Sequence, residues 1–391
     1  MYGVETGASQ IRAANPGASE PFTAGVQLYV PDDPEATQGG ASASTGPDDV
    51  SVNISGTRFR HWTAVSITRA LDSVDSISLA APFEPNAPGF RDRFRPFSYQ
   101  PLAVTVGGAP LFTGTMVGVQ PATGARERTV EASGYSRPGV LADCTPPASG
   151  LPWEFDDSGL GVIARDIAAP FGIGVDFQAD EGPAFDRVAC DPGRGAMDFL
   201  AGLARQRSLV IGSTERGALR VSRSISSGVP VASLAEGSGP VISVTAGFSP
   251  QDYFSHITGI EPSLAGGALG GDQYTERNTR LTGVIRPHTF DVPDTVGASG
   301  ADATRAKLGR MFGNMATYRV AVGTWRDPSG ALWAPNTIVS LHAPGAMVYT
   351  PYHMVVRAVE FNASRTGRAA TLQLVLPGSF SAGVPESLPW D

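Results

Sequence analysis

Acidic side chains cluster at one place in the chain where a pair of carboxylates could act on a glycosidic bond. Glu154, Asp156 and Asp157 follow Trp153, and paired carboxylates beside an aromatic residue are typical of glycoside hydrolases. The same acids come just before a segment with helical spacing of apolar residues, where the positive end of a helix stabilises negative charge. We therefore favour a structural role for this acidic cluster and keep glycoside hydrolysis as an alternative.

Other residue types that carry chemistry are present but lack the spacing that a known site requires. Gly172-Ile173-Gly174 and Gly193-Arg194-Gly195 begin like a dinucleotide-binding fingerprint, yet neither has the third glycine at the right distance. Lys307 is not part of a Gly-Lys-Ser/Thr phosphate loop, and neither G-x-S-x-G nor H-E-x-x-H occurs. The histidines show no metal-ligand spacing: His61, His256, His288, His342 and His353. We therefore expect no catalytic residue, no cofactor and no metal, and hence no enzyme.

Composition predicts a soluble protein with many turns. The 391 residues suit roughly two to four domains, and 47 glycines with 32 prolines favour short strands over long helices. The net charge of -8 and the lack of a basic run argue against sequence-specific binding to nucleic acid. Apolar runs are too short to span a membrane, and the N-terminus has no signal-peptide pattern. Cys144 and Cys190 are too few for a disulfide framework, so we expect free thiols.

The alternation of apolar and polar residues changes along the chain and defines five regions. The first has the composition of a linker around one short strand at Phe22–Val30. In the third region, residues 136–240, Asp157 or Ser158 can cap a helix that ends near Ala169. A second helix in the same region covers about 194–207. The predicted regions are an N-terminal arm (1–49), a first β-barrel domain (50–135), a mixed α/β domain (136–240), a second β-barrel domain with one helix at about 301–315 (241–380) and an exposed C-terminal tail (381–391). The predicted fold is therefore mainly β with α+β insertions.

Two stretches share the same pattern of strands and turns. Leu102–Ser133 has a strand, a Gly107-Gly108 turn, a strand, a loop and a third strand. Thr337–Leu376 repeats this order of three strands. A chain with two similar antiparallel modules presents six of them when three copies assemble with closed symmetry. The pattern indicates a structural task rather than a chemical one.

Arginine and phenylalanine alternate in one short segment of the first β region. Arginines beside aromatic residues are typical of interface anchors. The alternative is a solvated loop whose phenylalanines pack against its own domain. The candidate interface residues are Arg91, Arg93, Phe94, Arg95 and Phe97.

Several ordered features between about 50 and 380 resemble one protein family. They are Val52-Asn53-Ile54-Ser55-Gly56 leading into 62–71, then 111–116, then 198–204 followed by Leu209-Val210-Ile211, and finally 322–326 with 330–336. In order and spacing the chain resembles the baseplate hub proteins of contractile-tailed phages, namely the Mu-like tail protein and late-control D proteins. The N-terminal part of type VI secretion spike proteins is related to the same family. The resemblance leaves out the first 49 residues.

The resemblance implies a structural baseplate hub without catalytic residues. Such hubs are homotrimers in which each chain carries two tail-tube-like antiparallel β-barrel domains joined by a small mixed α/β domain. Three chains then match the six-fold tail tube on one side and the three-fold spike on the other, and enclose the channel for DNA ejection. Expected partners are the tail tube protein, the central spike protein and other baseplate proteins, with the tape measure protein as a further candidate.

Two alternatives accompany this interpretation. The first is a hub or spike component of a contractile injection or secretion system, which shares the fold. The second is a baseplate-associated cell-wall hydrolase that uses Glu154 or its neighbours. The expected location is the virion tail baseplate, after synthesis in the host bacterial cytoplasm.

Overall fold

The computed structural model describes residues 46–87, 89–124, 128–148, 154–261, 271–292, 300–378, 385 and 387–391. Residues 1–45, including the strand predicted at Phe22–Val30, lie outside the described residues. The same holds for Trp153, which sequence reasoning placed beside the acidic cluster.

Strands make up 45% of the structure and helices 18%, which confirms the predicted mainly β fold class at that level. The strands are β1 (Val50–Ile54), β2 (Thr57–Phe59), β3 (Ala64–Ala70), β4 (Ser76–Pro82), β5 (Pro101–Val106), β6 (Ala109–Thr123), β7 (Arg128–Ser136), β8 (Glu154–Ser158), β9 (Val175–Phe177), β10 (Phe185–Ala189), β11 (Val210–Ser213), β12 (Leu219–Ser222), β13 (Ala232–Ala235), β14 (Val241–Phe248), β15 (His256–Ile260), β16 (Gln273–Arg277), β17 (Pro287–Asp291), β18 (Ala316–Val322), β19 (Ile338–Ala343), β20 (Val348–Ser364) and β21 (Gly367–Val375). The α-helices are α1 (Phe90–Arg93), α2 (Val140–Asp143), α3 (Leu160–Ala168), α4 (Ala196–Gln206) and α5 (Gly300–Met315). None of these helices is long and apolar enough to cross a membrane.

One sheet of 13 strands runs through most of the described chain. Its order is β14-β18-β21-β20-β3-β4-β7-β6-β5-β1-β2, with β19 beside β20 and β13 beside β19. The N-terminal and C-terminal halves meet where β3 pairs antiparallel with β20. Among the described strands the path ends at β14 and β2, and no closed barrel is found. The predicted arrangement of two barrels is therefore not confirmed by this pairing.

The core lies on one face of the sheet because apolar and polar residues alternate along each strand. In β3, for example, Val65 and Ile67 are buried while the residues between them face the other side. Side chains from both halves contribute to one core, including Leu79 of β4 and Phe361 of β20. Trp333 is 1% exposed and donates its indole N–H to the carbonyl oxygen of Thr324 at 3.0 Å. Burying an aromatic side chain of this size contributes about 3 kcal/mol.

A second core belongs to the α/β part that follows β7. Helices α3 and α4 pack against each other and against a three-stranded sheet of β11, β12 and β9. The apolar faces of the two helices meet this core through Ile163, Ile167, Leu200 and Leu203. The helix predicted at 194–207 is thus observed at Ala196–Gln206.

The start of α3 differs from its predicted cap. Its N-cap residue is Gly159, and both predicted caps, Asp157 and Ser158, lie in β8 instead. The carboxylate of Glu181 accepts the backbone N–H of Gly161 at 2.9 Å. A carboxylate 20 residues away in sequence therefore accepts one of the backbone N–H groups that the first helical turn leaves unpaired. Local residue spacing could not reveal this partner.

The two similar stretches of the sequence form two similar three-stranded meanders. Strands β5-β6-β7 and β19-β20-β21 are each antiparallel throughout. In both meanders the register shifts once in the pairing of the first strand with the second, namely β5 with β6 and β19 with β20. It shifts once more in the pairing of the second strand with the third, namely β6 with β7 and β20 with β21. The second shift leaves Val117 as the extra residue of β6 and Arg357 as that of β20. The likeness predicted from sequence thus extends to the single-residue bulge between the second and third strands.

The prediction of an exposed tail was wrong for residues 387–391, which belong to the part of that segment that the structure describes. Leu388 is buried, and the ring of Trp390 contacts the ring of Phe248 with centroids 5.2 Å apart. The hydroxyl of Tyr352 also donates to the carbonyl oxygen of Ser387 at 2.8 Å. These apolar and polar partners lie far away in sequence, so they fix the segment on the sheet without a local pattern.

Candidate assembly surfaces

The sheet face opposite the core carries mostly small, uncharged side chains. Asn362, Ser66, Ser78 and Ser133 lie opposite one another in one row across β20, β3, β4 and β7. Residues that share a row of directly paired positions share a face of the sheet. We call this surface the polar sheet face; further positions on it are Thr68, Ser76, Ala80, Glu131, Thr245, Arg319, Glu360, Thr371 and Gln373.

Charge is sparse on the polar sheet face. Its charged members at the positions named above are Glu131, Glu360 and Arg319. Proteins hold DNA mainly through lysines and arginines that neutralise phosphates. A face with two acids and one arginine at these positions has no such attraction for phosphate.

The arginine and phenylalanine segment is divided between core and surface. Phe94 is only 4% exposed and packs edge-on against Phe59, with ring centroids 5.5 Å apart. The guanidinium of Arg93 lies 5.4 Å from the centre of the Phe59 ring. Phe94 therefore cannot serve as an exposed interface anchor in this conformation, because it fills its own core as the alternative prediction stated.

Phe97 presents the opposite case in the same segment. It is 87% exposed and has a φ of 58°. Tyr99 is 59% exposed close by. The side chain of Arg91 is held by the carbonyl oxygen of Pro85 at 2.5 Å, and that of Arg95 is exposed. Exposed aromatic side chains such as Phe97 and Tyr99, on a segment anchored by buried Phe94, are typical of protein interfaces. An interface role for this segment stays a proposal.

The acidic cluster lies on strand β8 and is paired to an arginine. The guanidinium of Arg187, on the neighbouring β10, bonds to the carboxylate of Glu154 and lies 3.8 Å from that of Asp156. Both acids are well exposed to solvent. Glycoside hydrolases place their two carboxylates on either side of the scissile bond, whereas these two acids share one guanidinium on an exposed pair of strands. Cross-strand ion pairs account for these residues instead.

A buried polar cluster joins the first half of the sheet to the α/β part. Asp75, in the turn between β3 and β4, is 1% exposed. Its backbone N–H donates to the hydroxyl of Ser213 in β11 at 3.0 Å, and its carboxylate accepts the N–H of Ala70 at 3.1 Å. The guanidinium of Arg69 lies 3.5 Å from the same carboxylate and 3.1 Å from that of Glu215.

Burial controls the protonation of Asp75. It raises the pKa of Asp75 to about 6, although Arg69, the N–H of Ala70 and Arg220 all act in the opposite direction. The cluster thus links the first half of the sheet to the α/β part. Removing the Asp75 carboxyl from water is unfavourable unless its oxygens find such partners. The local sequence around Asp75 does not indicate this role, because Ser213 and Arg220 lie 138 and 145 residues further along the chain.

A cleft of about 790 Å³ opens between α4 and α5. Five cationic side chains line it, and three of them belong to the two helices: Arg205, Lys307 and Arg310. Within the described ranges none of the three forms an ion pair. Burial, together with repulsion from neighbouring arginines, lowers the pKa of Lys307 and of Arg310. The cleft could accept an anionic group, and sequence reasoning missed it because its two helices are about a hundred residues apart.

The remaining chemistry-bearing residues stay apart. Cys144 and Cys190 are free thiols, as expected. In the part of the chain that the structure describes, no group of three or more His, Cys, Asp or Glu side chains is arranged to hold a metal ion. His288 is stacked on Phe254 with ring centroids 4.6 Å apart, as a packing residue would be.

Comparison with known proteins relates the chain to phage tails. A family profile described as "Baseplate hub protein gp44-like, second domain" matches residues 138–223, and one described as "Mu phage baseplate assembly protein GpP, fourth domain" matches residues 300–383. The baseplate hub protein gp44 of Escherichia phage Mu is 25% identical over 308 residues, which cover 75% of this chain and 79% of that protein. The chain is a homologue of the Mu baseplate hub protein.

Solved structures agree with this relation. The 43 kDa tail protein of prophage MuSo2 from Shewanella oneidensis aligns with a TM-score of 0.72 and 25% identity over 84% of this chain and 98% of that protein. An Escherichia coli component of the type VI secretion system shares the fold, with a TM-score of 0.52 and 12% identity over 83% of this chain and 76% of that one. The chain is thus baseplate hub-like in sequence and fold, and the relatives named here are baseplate and tail proteins.

Proposed function

We propose that this hub-like protein is a homotrimer that adapts the six-fold tail tube to the three-fold spike. The observation that carries the proposal is the repeat of one meander, with matching bulges, in the two halves of a single chain. Three such chains offer six similar edges to a six-fold neighbour while keeping three-fold symmetry toward a trimer. Expected partners are therefore the tail tube protein, the central spike and other baseplate proteins.

The polar sheet face supports a second part of the proposal, the lining of a channel for DNA. Its Ser66, Ser78 and Ser133 row presents hydroxyl groups without positive charge. DNA that must leave the particle quickly should not be held by its phosphates, whose binding requires lysine or arginine. We therefore place this face toward the bore of the trimer, with the core and the α/β part outside.

Assembly in solution tests the proposal. Sedimentation of the purified chain over a concentration series should yield a species of three chains, each of 40.6 kDa. The trimer should then bind a preformed ring of tail tube protein with one trimer per ring. A chain that remains monomeric at high concentration, alone and in the presence of tube and spike, contradicts the proposal.

A contractile injection or secretion system is the second candidate setting. The fold shared with a component of the type VI secretion system favours it. Both settings use the same geometry, so the polypeptide itself does not separate them. Sequencing the genes beside this one distinguishes them, because a phage encodes capsid and tape measure proteins nearby.

A further inference from the structure

The cleft between α4 and α5, of about 790 Å³, is lined by cationic side chains from four parts of the chain. Lys307 and Arg310 are three residues apart, so they lie on the same face of α5. Arg205 comes from the last turn of α4. Arg194, just before α4, and Arg187, on β10, complete the set. We call this space the cation cleft.

Two of these cations already have partners in the fold. Arg187 is paired with the acids of β8. The guanidinium of Arg194 lies 5.6 Å from the centre of the Phe199 ring and donates to the carbonyl oxygen of Asp198 at 3.4 Å. The structure therefore accounts for these two side chains without a ligand.

The other three cations, Arg205, Lys307 and Arg310, are unpaired. Their side chains make no hydrogen bond or ion pair with any residue that the structure describes. Two acids, Asp252 and Asp291, line the same cleft without pairing with them. Burial lowers the pKa of Lys307 and of Arg310, and repulsion from Arg205 acts in the same direction. A bound anion offsets this repulsion, because opposite charges attract strongly where water is partly excluded.

One wall of the cation cleft is aromatic and apolar. The ring of His288 is nearly parallel to those of Phe254 and Phe290, with centroids 4.6 Å and 6.4 Å away. The ammonium group of Lys307 lies 5.5 Å from the centre of the Phe290 ring. Met311 adds a buried apolar side chain to the lining. A ligand that fits this cleft therefore carries an apolar group beside its negative charge.

The positions of the unpaired cations favour carboxylates over phosphate. Phosphate sites commonly use backbone N–H groups at a helix N-terminus or in a glycine-rich loop. Here Arg205 ends α4, while Lys307 and Arg310 lie in the middle of α5, away from either N-terminus. Side chains alone supply the positive charge, and guanidinium groups bind carboxylates with two parallel hydrogen bonds.

We propose that the cation cleft binds an acidic segment of a partner protein, in which aspartate or glutamate residues flank one large apolar side chain. The carboxylates contact Arg205, Lys307 and Arg310, and the apolar side chain packs against Phe254 and Phe290. Charge complementarity selects this occupant, because the cleft concentrates positive charge on a chain whose net charge is -8. The inference does not depend on the proposed trimer, since one chain supplies the whole lining.

A library of short random peptides, screened against the full chain, tests both parts of this site. Bound peptides should be enriched in aspartate and glutamate around one large apolar residue. Their affinity, measured by fluorescence anisotropy, should fall as NaCl is added, because salt screens charge pairs. A screen that yields no binders, or binders without this enrichment, overturns the inference.

Single substitutions locate the binding. Lys307→Gln and Arg310→Gln should each weaken the binding of a selected peptide about tenfold, which corresponds to one lost hydrogen bond to a charged group. Both variants should keep the wild-type melting temperature, because neither cation has a partner in the described fold. If either variant fails to fold, Arg205→Gln tests the same claim at an exposed position of the cleft.

Arg305→Gln is the matched control on the same helix. Arg305 is paired with Asp302 and Glu276 and does not line the cleft. Its replacement removes the same charge and should leave the peptide affinity unchanged. An equal loss of affinity in Arg305→Gln and in the cleft variants would mean general attraction to positive charge, and it overturns the inference.

Other anions provide the second control. Sodium phosphate and a single-stranded oligonucleotide, each added at constant ionic strength, should not displace the selected peptide. Displacement by either one assigns the cleft to phosphate groups and overturns the acidic segment as its occupant. Sedimentation remains a separate measurement: a trimer that binds no such peptide keeps the hub proposal and overturns this inference alone.

Discussion

Replacing the buried acid Asp75 by asparagine should remove a defined part of the pH dependence of stability. Asp75 is held at the junction between the sheet and the α/β part, and burial raises its pKa from 3.8 to about 6. A carboxyl whose pKa is higher in the folded state binds more protons there than in the unfolded state. Its contribution to stability is therefore greatest at acid pH and is lost as the pH rises through about 6.

The size of this contribution follows from the two pKa values. At pH 5 the folded state, with a pKa of about 6, is mostly protonated, while the unfolded state, near 3.8, is mostly ionised. The difference stabilises the fold at pH 5 by about 1.4 kcal/mol relative to pH 8. Asparagine keeps an oxygen for the N–H of Ala70 and cannot ionise, so Asp75→Asn should lack this contribution.

Urea unfolding at pH 5 and pH 8 measures the difference. The wild-type free energy of unfolding should fall between pH 5 and pH 8 by about 1.4 kcal/mol more than that of Asp75→Asn. Asp186→Asn, at an exposed acid on β10, should keep the wild-type profile. Equal pH profiles for wild type and Asp75→Asn would refute the claim that burial outweighs Arg69. A wild type that gains stability with rising pH, relative to the variant, would show that the ion pair dominates instead.

Three further changes have clear expected outcomes. Gly134→Ala should lower the urea midpoint strongly, because the added Cβ would lie 2.4 Å from the carbonyl oxygen of Thr115. Gly174→Ala is the matched control and should leave the midpoint unchanged, because the added Cβ meets open space. Equal midpoints for the two variants would contradict this packing. Phe97→Ser should leave the melting temperature unchanged and weaken binding to tail partners, and unchanged binding would remove the segment from the interface. Glu154→Gln with Asp156→Asn should leave assembly and infectivity intact, and loss of a cell-wall lytic activity in this variant would favour the hydrolase alternative.

Much of the strand pattern was predictable because it depends on local periodicity. The alternation in β3 and the Gly107-Gly108 turn both follow from rules on neighbouring residues, and both glycines have positive φ. The three helices of more than eight residues also follow from apolar spacing. The likeness of the two meanders could be read from the same patterns.

Long-range pairing could not be predicted in this way. The joint between β3 and β20 connects residues almost three hundred positions apart, and no local pattern distinguishes an edge that meets another strand from one that stays open. For the same reason Phe94 was grouped with exposed residues, although Phe59 and Phe90 surround its ring. The cation cleft and the docked C-terminal residues depend on tertiary contacts as well. The repeat could be predicted from the sequence, whereas the pairing of β3 with β20 that joins the two halves is known only from the structure.

Electron microscopy of the purified assembly tests the central claim most directly, namely that one chain supplies two equivalent modules to a ring. Class averages viewed along the axis should show three-fold symmetry with six similar lobes around a central hole, and the polar sheet face should border that hole. Averages with three lobes, with lobes of unrelated shape, or with the polar sheet face turned outward would contradict the account.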